Sequence, residues 1–260
     1  MYRQPAVAGN FYPADPVILR DQINQLLSSA KSSATDTPKA IIAPHAGYIY
    51  SGPIAASVYT RLQTARTQIA RVVLLGPSHR VAFNGLALST TDGFDTPLGH
   101  VPIDKASVAL LAHLPFIDYF EQAHSQEHSL EVQLPFLQVV LNHFQIIPVV
   151  VGNASPEQVC LVLDALWGGD ETLIVISSDL SHYHDYARAQ QLDKITSTAI
   201  ERLNYHALTY ESACGRIPIS GLLKWAAQQS LTVKTIDLRN SGDTAGDKKS
   251  VVGYGAYVIN

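Results

Sequence analysis

The sequence predicts an α/β fold in which helices cover both faces of a mostly parallel or mixed central sheet. Short runs rich in Val and Ile alternate with segments of helical periodicity along nearly the whole chain. Several of these runs are continuously apolar, which is typical of strands buried on both faces of a sheet. The expected architecture is therefore a single three-layer αβα domain over residues 1–260.

Seven strands are predicted from their apolar, β-branched composition and from the turn residues that bound them. In chain order they are Lys39–Ala43, Val72–Gly76, Leu86–Ser89, Ile146–Val151, Leu173–Ser177, Thr232–Leu238 and Val252–Ile259. The first helix is expected to begin after Asp15-Pro16, an N-cap followed by a first-turn proline, and to reach about Ser29. Helical spacing continues in Leu130–Leu141, Pro156–Trp167, Ala187–Leu203 and Ile219–Gln228.

Three further segments connect these elements. Another helix is expected to start near Pro53, and Ser32–Pro38 is interpreted as a polar loop. The segment Gly93–Ile103 is typical of a hairpin or of a lid loop beside a site.

Composition excludes several classes of protein. With 47% hydrophobic and 15% charged residues, the chain can build a full core. A net charge of -4 argues against a nucleic-acid surface, and no apolar run approaches the ~18 residues that a membrane span needs. The first residues lack the apolar region of a signal peptide, and two cysteines, Cys160 and Cys214, do not form a disulfide framework. We therefore expect a cytoplasmic protein without nucleic-acid or membrane partners.

Three apolar runs each end in a histidine. They read KAIIAPHAGY, RVVLLGPSHR and TLIVISSDLSHYH, and they place His45, His79 and His182 just past predicted strands. In an open α/β sheet, ligands bind in the crevice outside the carboxyl ends of the strands. The pattern therefore predicts that these histidines converge on one metal ion or substrate.

Other polar residues near these turns are candidate site residues. Tyr48 offers a hydroxyl, and Arg80 is either an anion-binding group or an ordinary surface arginine. Asp179 is expected either to orient a histidine or to cap the next helix. Of His182 and His184, we expect only His182 to face inward, because His184-Asp185 is typical of a helix start.

A second cluster follows in HSQEHSLEVQLPF. His128 and Glu131 are three residues apart and would share one face of a helix, as a catalytic pair or as a surface pair. Cys214 precedes a predicted helix, where a thiolate is stabilised and can bind metal, whereas Cys160 is interpreted as a buried apolar residue. The remaining histidines are expected to be structural or exposed; they are His100, His113, His143 and His206.

Six segments of the chain together resemble the Memo family (mediator of cell motility), whose prokaryotic members are called AmmeMemoRadiSam system protein B. They are RQPAVAGNFYP, APHAGYIYSG, LLGPSHR, EHSLEVQLPF, SSDLSHY and CGRIPISGLL. That family is similar in fold to the LigB-type class III extradiol dioxygenases. The resemblance implies that His45 and His79 bind a metal ion, that Cys214 is the third ligand, and that His182 acts as acid or base.

The metal that this resemblance implies is Fe(II), with Cu and Zn as alternatives, because imidazole and thiolate suit all three. In a metal enzyme, Tyr48 or His128 would orient an aromatic or enediol substrate, and Glu131 or Asp179 would supply a carboxylate. Two alternatives are a metal-binding protein without turnover and a binding module whose vestigial pocket takes a peptide, protein or small molecule. The family name also implies a link to a radical SAM protein and an AMMECR-type protein.

Overall fold

The computed structural model describes residues 1–30 and 37–260, so the predicted loop Ser32–Pro38 lies, except for its last two residues, outside the described residues. The strands are β1 (Tyr2–Arg3), β2 (Ala40–Ala43), β3 (Arg71–Pro77), β4 (Leu86–Leu88), β5 (Gly93–Thr96), β6 (Gly99–Pro102), β7 (Ile117–Tyr119), β8 (Gln145–Val151), β9 (Thr172–Ser177), β10 (His182–His184), β11 (Val233–Asn240) and β12 (Val251–Ile259). The α-helices are α1 (Pro16–Ser29), α2 (Tyr48–Tyr59), α3 (Lys105–Ala109), α4 (Glu121–Ser125), α5 (Leu134–Val140), α6 (Pro156–Leu166), α7 (Tyr186–Glu201) and α8 (Arg216–Gln228).

A mixed sheet of nine strands forms the centre of the molecule. Its order is β10-β12-β2-β9-β3-β8-β4-β7, and β11 pairs with β12. The four strands β2, β9, β3 and β8 run parallel, whereas β12 is antiparallel to β2 and β4 is antiparallel to β8. The carboxyl ends of the four parallel strands therefore lie along one edge of the sheet.

Helices pack against this sheet in separate groups. Helix α2 contacts α1 and α5, whereas α6 packs against α8, which contacts β3. Every residue of β2 and β9 is buried, as expected for strands covered on both faces. The buried apolar side chains form one core that extends from Val7 to Ile259. These features confirm the predicted α/β fold.

The predicted strands are all present, with ends that differ by at most two residues. The predicted helix Leu130–Leu141 is instead divided into a 3₁₀ turn, Glu131–Gln133, and α5. Helix α2 begins at Tyr48, five residues before Pro53, so Pro53 lies inside it. Among the helices in the described part of the chain, none has the combination of length and apolar character needed to cross a bilayer.

A second, three-stranded sheet lies outside the central one. The segment Gly93–Ile103 contains the antiparallel hairpin β5–β6, and β1 adds to β5 in parallel. This sheet fixes the start of the chain, and the next residues reach the loop that follows α4.

Candidate metal centre

Three adjacent parallel strands deliver polar residues to one edge of the central sheet. His45 follows β2 by two residues, His79 follows β3 by two, and Asp179 follows β9 by two. Because β9 lies between β2 and β3, these residues meet at the carboxyl ends of neighbouring strands. The rings of His45 and His79 lie 5.1 Å apart, measured between centroids.

A third imidazole comes from the irregular loop after α4. The ring of His128 stacks on His79 at 4.7 Å and lies 5.5 Å from His45, again between centroids. One nitrogen from each of the three rings lies within 4.8 Å of the other two. Within residues 1–30 and 37–260, these three histidines are the group whose ligand atoms are close enough to share one metal ion.

Hydrogen bonds determine which nitrogen of His45 carries the proton. Nδ1 of His45 lies 2.8 Å from the hydroxyl oxygen of Ser177. That hydroxyl donates its only proton to the carbonyl oxygen of Ser129 at 2.6 Å, and it also accepts from the side-chain amide of Gln133. The hydroxyl therefore accepts the proton of Nδ1, which leaves a lone pair on Nε2 of His45.

The carboxylate of Glu127 orients His79 in the same way. Oε1 of Glu127 accepts from Nδ1 of His79 at 2.9 Å, and Oε2 accepts from the His79 backbone N–H at 2.6 Å. Burial alone would raise the pKa of Glu127, but these bonds and the one from the Ser129 N–H lower it to about 2. Glu127 is therefore ionised at neutral pH, and because its bond occupies Nδ1 of His79, Nε2 is the nitrogen of this ring that can bind a metal ion.

The ring of His128 is enclosed, and its buried Nδ1 lies 3.4 Å from Oε1 of Glu127. Its Nδ1 has no hydrogen-bond partner in the described structure, and the edge of Phe11 packs against the ring at 4.9 Å. Burial lowers the pKa of His128 to about 4 and holds the pKa of His45 well below its usual value. Both rings are thus neutral at pH 7, the form in which imidazole binds a metal ion.

Cys214 and Asp179 lie beside His45. Sγ of Cys214 is 3.3 Å from Nε2 of His45, although Cys214 is not part of the group of three histidines. Burial, and then the charge of Asp179, raise the pKa of the Cys214 thiol to about 12. Oδ1 of Asp179 accepts from the His45 backbone N–H at 2.8 Å, so this carboxyl orients the histidine turn and does not cap a helix.

A cavity of about 570 Å³ lies next to the histidines. His79 and Cys214 contribute to its wall, together with apolar residues such as Phe83 and Val151. Its size is within the range of pockets that hold small organic ligands, roughly 300–1,000 Å³. Of the three clustered histidines, His79 therefore borders a space that a substrate can enter.

His182 and His184 both line this cavity, which corrects the expectation that only His182 faces inward. The two residues begin and end β10 on either side of a register shift, so the alternation of a regular strand does not decide which way they face. Tyr183 between them lies at a β-bulge, has a φ of 61° and is 76% exposed. The helix that we expected at His184-Asp185 is capped by Asp185, which accepts from the Arg188 N–H.

Glu131 lies outside the cavity, in a fully buried ion pair. Its carboxylate accepts from Nη1 of Arg3 at 2.8 Å and from the hydroxyl of Tyr12 at 2.6 Å. The backbone N–H groups of Ala6 and Val7 complete its hydrogen bonds. With its lone pairs occupied in this way, Glu131 connects the start of the chain to the core, and the structure does not support a role as base.

The helix that would have placed His128 and Glu131 on one face does not form there. Residues 127–130 are irregular, so a spacing of three no longer implies a shared face. Glu127, which sequence reasoning missed, is the carboxylate at the cluster. The sequence feature that could have identified Glu127 is its position directly before His128.

Two further candidates also lie away from the cavity. The side chain of Tyr48 is buried, and its hydroxyl donates to the carbonyl oxygen of Val132 at 2.7 Å. Arg80 is exposed and is not among the residues that line the cavity. The hydroxyl of Tyr48 is thus used within the core, because α2 begins at this residue and turns it inward.

The other cysteine and histidines lie outside the cluster. Cys160 is buried on α6, as we predicted. Four histidines are exposed and one is buried; the exposed ones are His100, His113, His143 and His206, and the buried one is His124.

Comparisons with known proteins identify the family. A family model described as "Memo-like protein" matches residues 3–258. The chain is 38% identical to a MEMO1 family protein from Aquifex aeolicus and 35% identical to one from Sulfolobus acidocaldarius, with 97% and 98% of each chain covered. A crystal structure of an uncharacterized protein from Escherichia coli K12 has a TM-score of 0.52 at 15% identity, covers 86% of this chain and all of its own, and supports the fold alone. The chain therefore belongs to the Memo family.

Proposed function

We propose that this protein binds a divalent transition-metal ion, with Fe(II) as the resident metal, through His45, His79 and His128. The observation that carries the proposal is the convergence of three imidazoles whose nitrogens lie within 4.8 Å of one another. Cys214 is proposed as a further ligand, because its sulfur adjoins Nε2 of His45 and metal coordination deprotonates a thiol.

The donor set fits such an ion. Ser177 and Glu127 each accept the Nδ1 proton of a histidine, which is the arrangement that usually supports metal-ligating imidazoles. Imidazole suits iron, copper and zinc, so all three remain outcomes of the measurement below. When bound, the ion supplies Lewis-acid and redox chemistry next to the cavity.

Protein groups around the cavity would handle the substrate. His182 lines the cavity, and burial lowers its pKa, so it is neutral at pH 7 and can accept a proton from a substrate hydroxyl. Asp179 holds the turn that carries His45 through the backbone N–H. We propose oxygenase-type or other redox chemistry on a small organic substrate, by a cytoplasmic protein.

The test is metal content by mass spectrometry on protein purified without chelator or affinity tag. We expect near-stoichiometric iron in the wild type, loss of metal in His45→Ala and His128→Ala, and retention in His143→Ala, which changes an exposed histidine outside the cluster. Retention in His128→Ala with loss in Cys214→Ser would instead support a ligand set of two histidines and the cysteine.

Metal-free wild-type protein that remains folded would contradict the proposal and favour a non-catalytic binding module for a peptide, protein or small molecule. Oxygen consumption by the iron-loaded protein with a panel of catechols separates an oxygenase from a metal-binding protein without turnover. The link to a radical SAM protein and an AMMECR-type protein stays a prediction, which co-purification tests.

A further inference from the structure

We infer that the cavity beside the histidines takes an organic ligand that carries a carboxylate, and that Arg216 binds this carboxylate. The inference rests on the proposed function in one respect: the end of the ligand opposite the carboxylate would contact the metal ion. It extends that proposal by assigning a substrate class and a specificity-determining residue.

Arg216 lies on the wall of the same cavity. It is the first residue of α8, two positions after Cys214, and it lines the cavity together with Cys214 and His79. Among the described residues that form this wall, it is the only lysine or arginine. A ligand that enters the cavity therefore meets one permanent positive charge close to the metal centre.

The guanidinium of Arg216 has no anionic partner within the described part of the chain. Its one directed contact there is with the ring of Tyr210, whose centroid lies 5.5 Å from the guanidinium carbon. Arg71, which is half-buried like Arg216, pairs with Asp104 at 2.8 Å. A half-buried guanidinium that lines a cavity without such a partner has its N–H donors free for a ligand.

The contact with Tyr210 leaves the binding edge of Arg216 open. A cation–π contact is not a hydrogen bond, and the Arg216 side chain forms no hydrogen bond within the described residues, so its N–H groups remain available for two parallel bonds to a carboxylate.

The charges on this wall favour a carboxylate over a phosphate. Glu211 lines the same cavity and forms no ion pair with Arg216 within the described residues. One guanidinium matches the single charge of a carboxylate, whereas a phosphate carries up to two charges and is repelled by Glu211 up to twice as strongly as a carboxylate at the same distance. The cavity volume of about 570 Å³ leaves space for a ligand with groups at both ends.

The test compares two probes with the same metal-binding group, benzohydroxamate and 4-carboxybenzohydroxamate, titrated calorimetrically into zinc-loaded protein. We expect wild type to bind the carboxylated probe about 10-fold more tightly, as one charge-assisted hydrogen-bond pair implies. Arg216→Gln should reduce this preference to less than about 2-fold, and Arg216→Lys should retain part of it, because lysine keeps the charge but not the planar fork. The control Arg80→Gln, outside the cavity, should keep the full preference.

The inference would be overturned by no preference in zinc-loaded wild type or by an unchanged preference in Arg216→Gln. Inorganic phosphate that displaces the carboxylated probe more effectively than benzoate would assign the position to phosphate and would also overturn it. If wild type does not retain zinc, the proposed metal centre fails separately. The role of Arg216 is then decided independently by NMR, which compares the binding of benzoate with that of benzamide in metal-free wild type and in metal-free Arg216→Gln.

Discussion

Replacing Glu131 with glutamine is expected to destabilise the fold by about 3–5 kcal/mol. The side chains of Glu131 and Arg3 are 0% and 2% exposed, and their charged atoms lie 2.8 Å apart. The substitution keeps the shape of the side chain but removes its charge, so the buried guanidinium loses its only carboxylate within the described structure. An unpaired buried charge is among the costliest single changes in a protein.

The hydrogen bonds of this carboxylate explain the magnitude. Four donors converge on its two oxygens, from Arg3, Ala6, Val7 and Tyr12. The hydroxyl of Tyr12 can rotate to accept a proton, but an amide nitrogen must still face at least one N–H group, which costs ~1–3 kcal/mol. Added to the uncompensated charge, this loss is a large part of a total stability that is typically ~5–15 kcal/mol.

Urea unfolding at pH 7 measures this difference, with Glu157→Gln as the matched control. Glu157 pairs with Lys224 at 2.6 Å, but its side chain is 57% exposed, so we expect a loss of at most ~1 kcal/mol there. Wild-type stability in Glu131→Gln, combined with loss of turnover, would refute the structural role and restore Glu131 as a catalytic base.

Three further predictions concern the bulge, a buried carboxyl and the cluster. Tyr183→Gly should raise the thermal midpoint, because the left-handed backbone costs ~1 kcal/mol and the side chain is 76% exposed; a lower midpoint would contradict this. Burial raises the pKa of Asp193 from 3.8 to about 6, so wild type should lose about 3 kcal/mol of stability as pH rises through that window. In urea unfolding across that pH range, Asp193→Asn should not show this loss. If stability depends on pH in the same way in wild type and variant, Asp193 is not the group responsible. Glu127→Gln should weaken metal binding ~10–100-fold in chelator competition, and unchanged affinity would show that Glu127 does not support His79.

The sheet could be predicted from sequence because its strands are encoded locally. Each run of buried Val and Ile is continuous and ends at a proline or polar turn, as in Arg71–Pro77. His45 and His79 could be singled out from sequence because each follows a predicted strand. In the structure β2, β9 and β3 are adjacent, so the turns after these strands lie together. The three-residue strands β7 and β10 carry no comparable pattern and were missed.

The sequence singled out His128 as a catalytic candidate but did not place it beside His45 and His79, because its position depends on contacts distant in the chain. The helical periodicity of Leu130–Leu141 suggested that the helix extended back to His128, whereas residues 127–130 are irregular. The direction in which Glu127 and Glu131 point depends on where Arg3 docks, more than 120 residues earlier in the chain. No local spacing records that contact.

The first twelve residues therefore support the cluster of three histidines without contributing a histidine to it. Arg3 donates to the carbonyl oxygens of His124 and Glu127, each at 2.6 Å, and so holds both sides of the loop that carries His128. Phe11 packs against the ring of His128 from the same segment. If the proposed metal ion binds there, this arrangement would couple the buried ion pair to metal affinity. A substitution that loosens the loop would then weaken metal binding. By thermodynamic linkage, the binding free energy lost in the variant equals the decrease in the stabilisation that the bound metal gives to the fold.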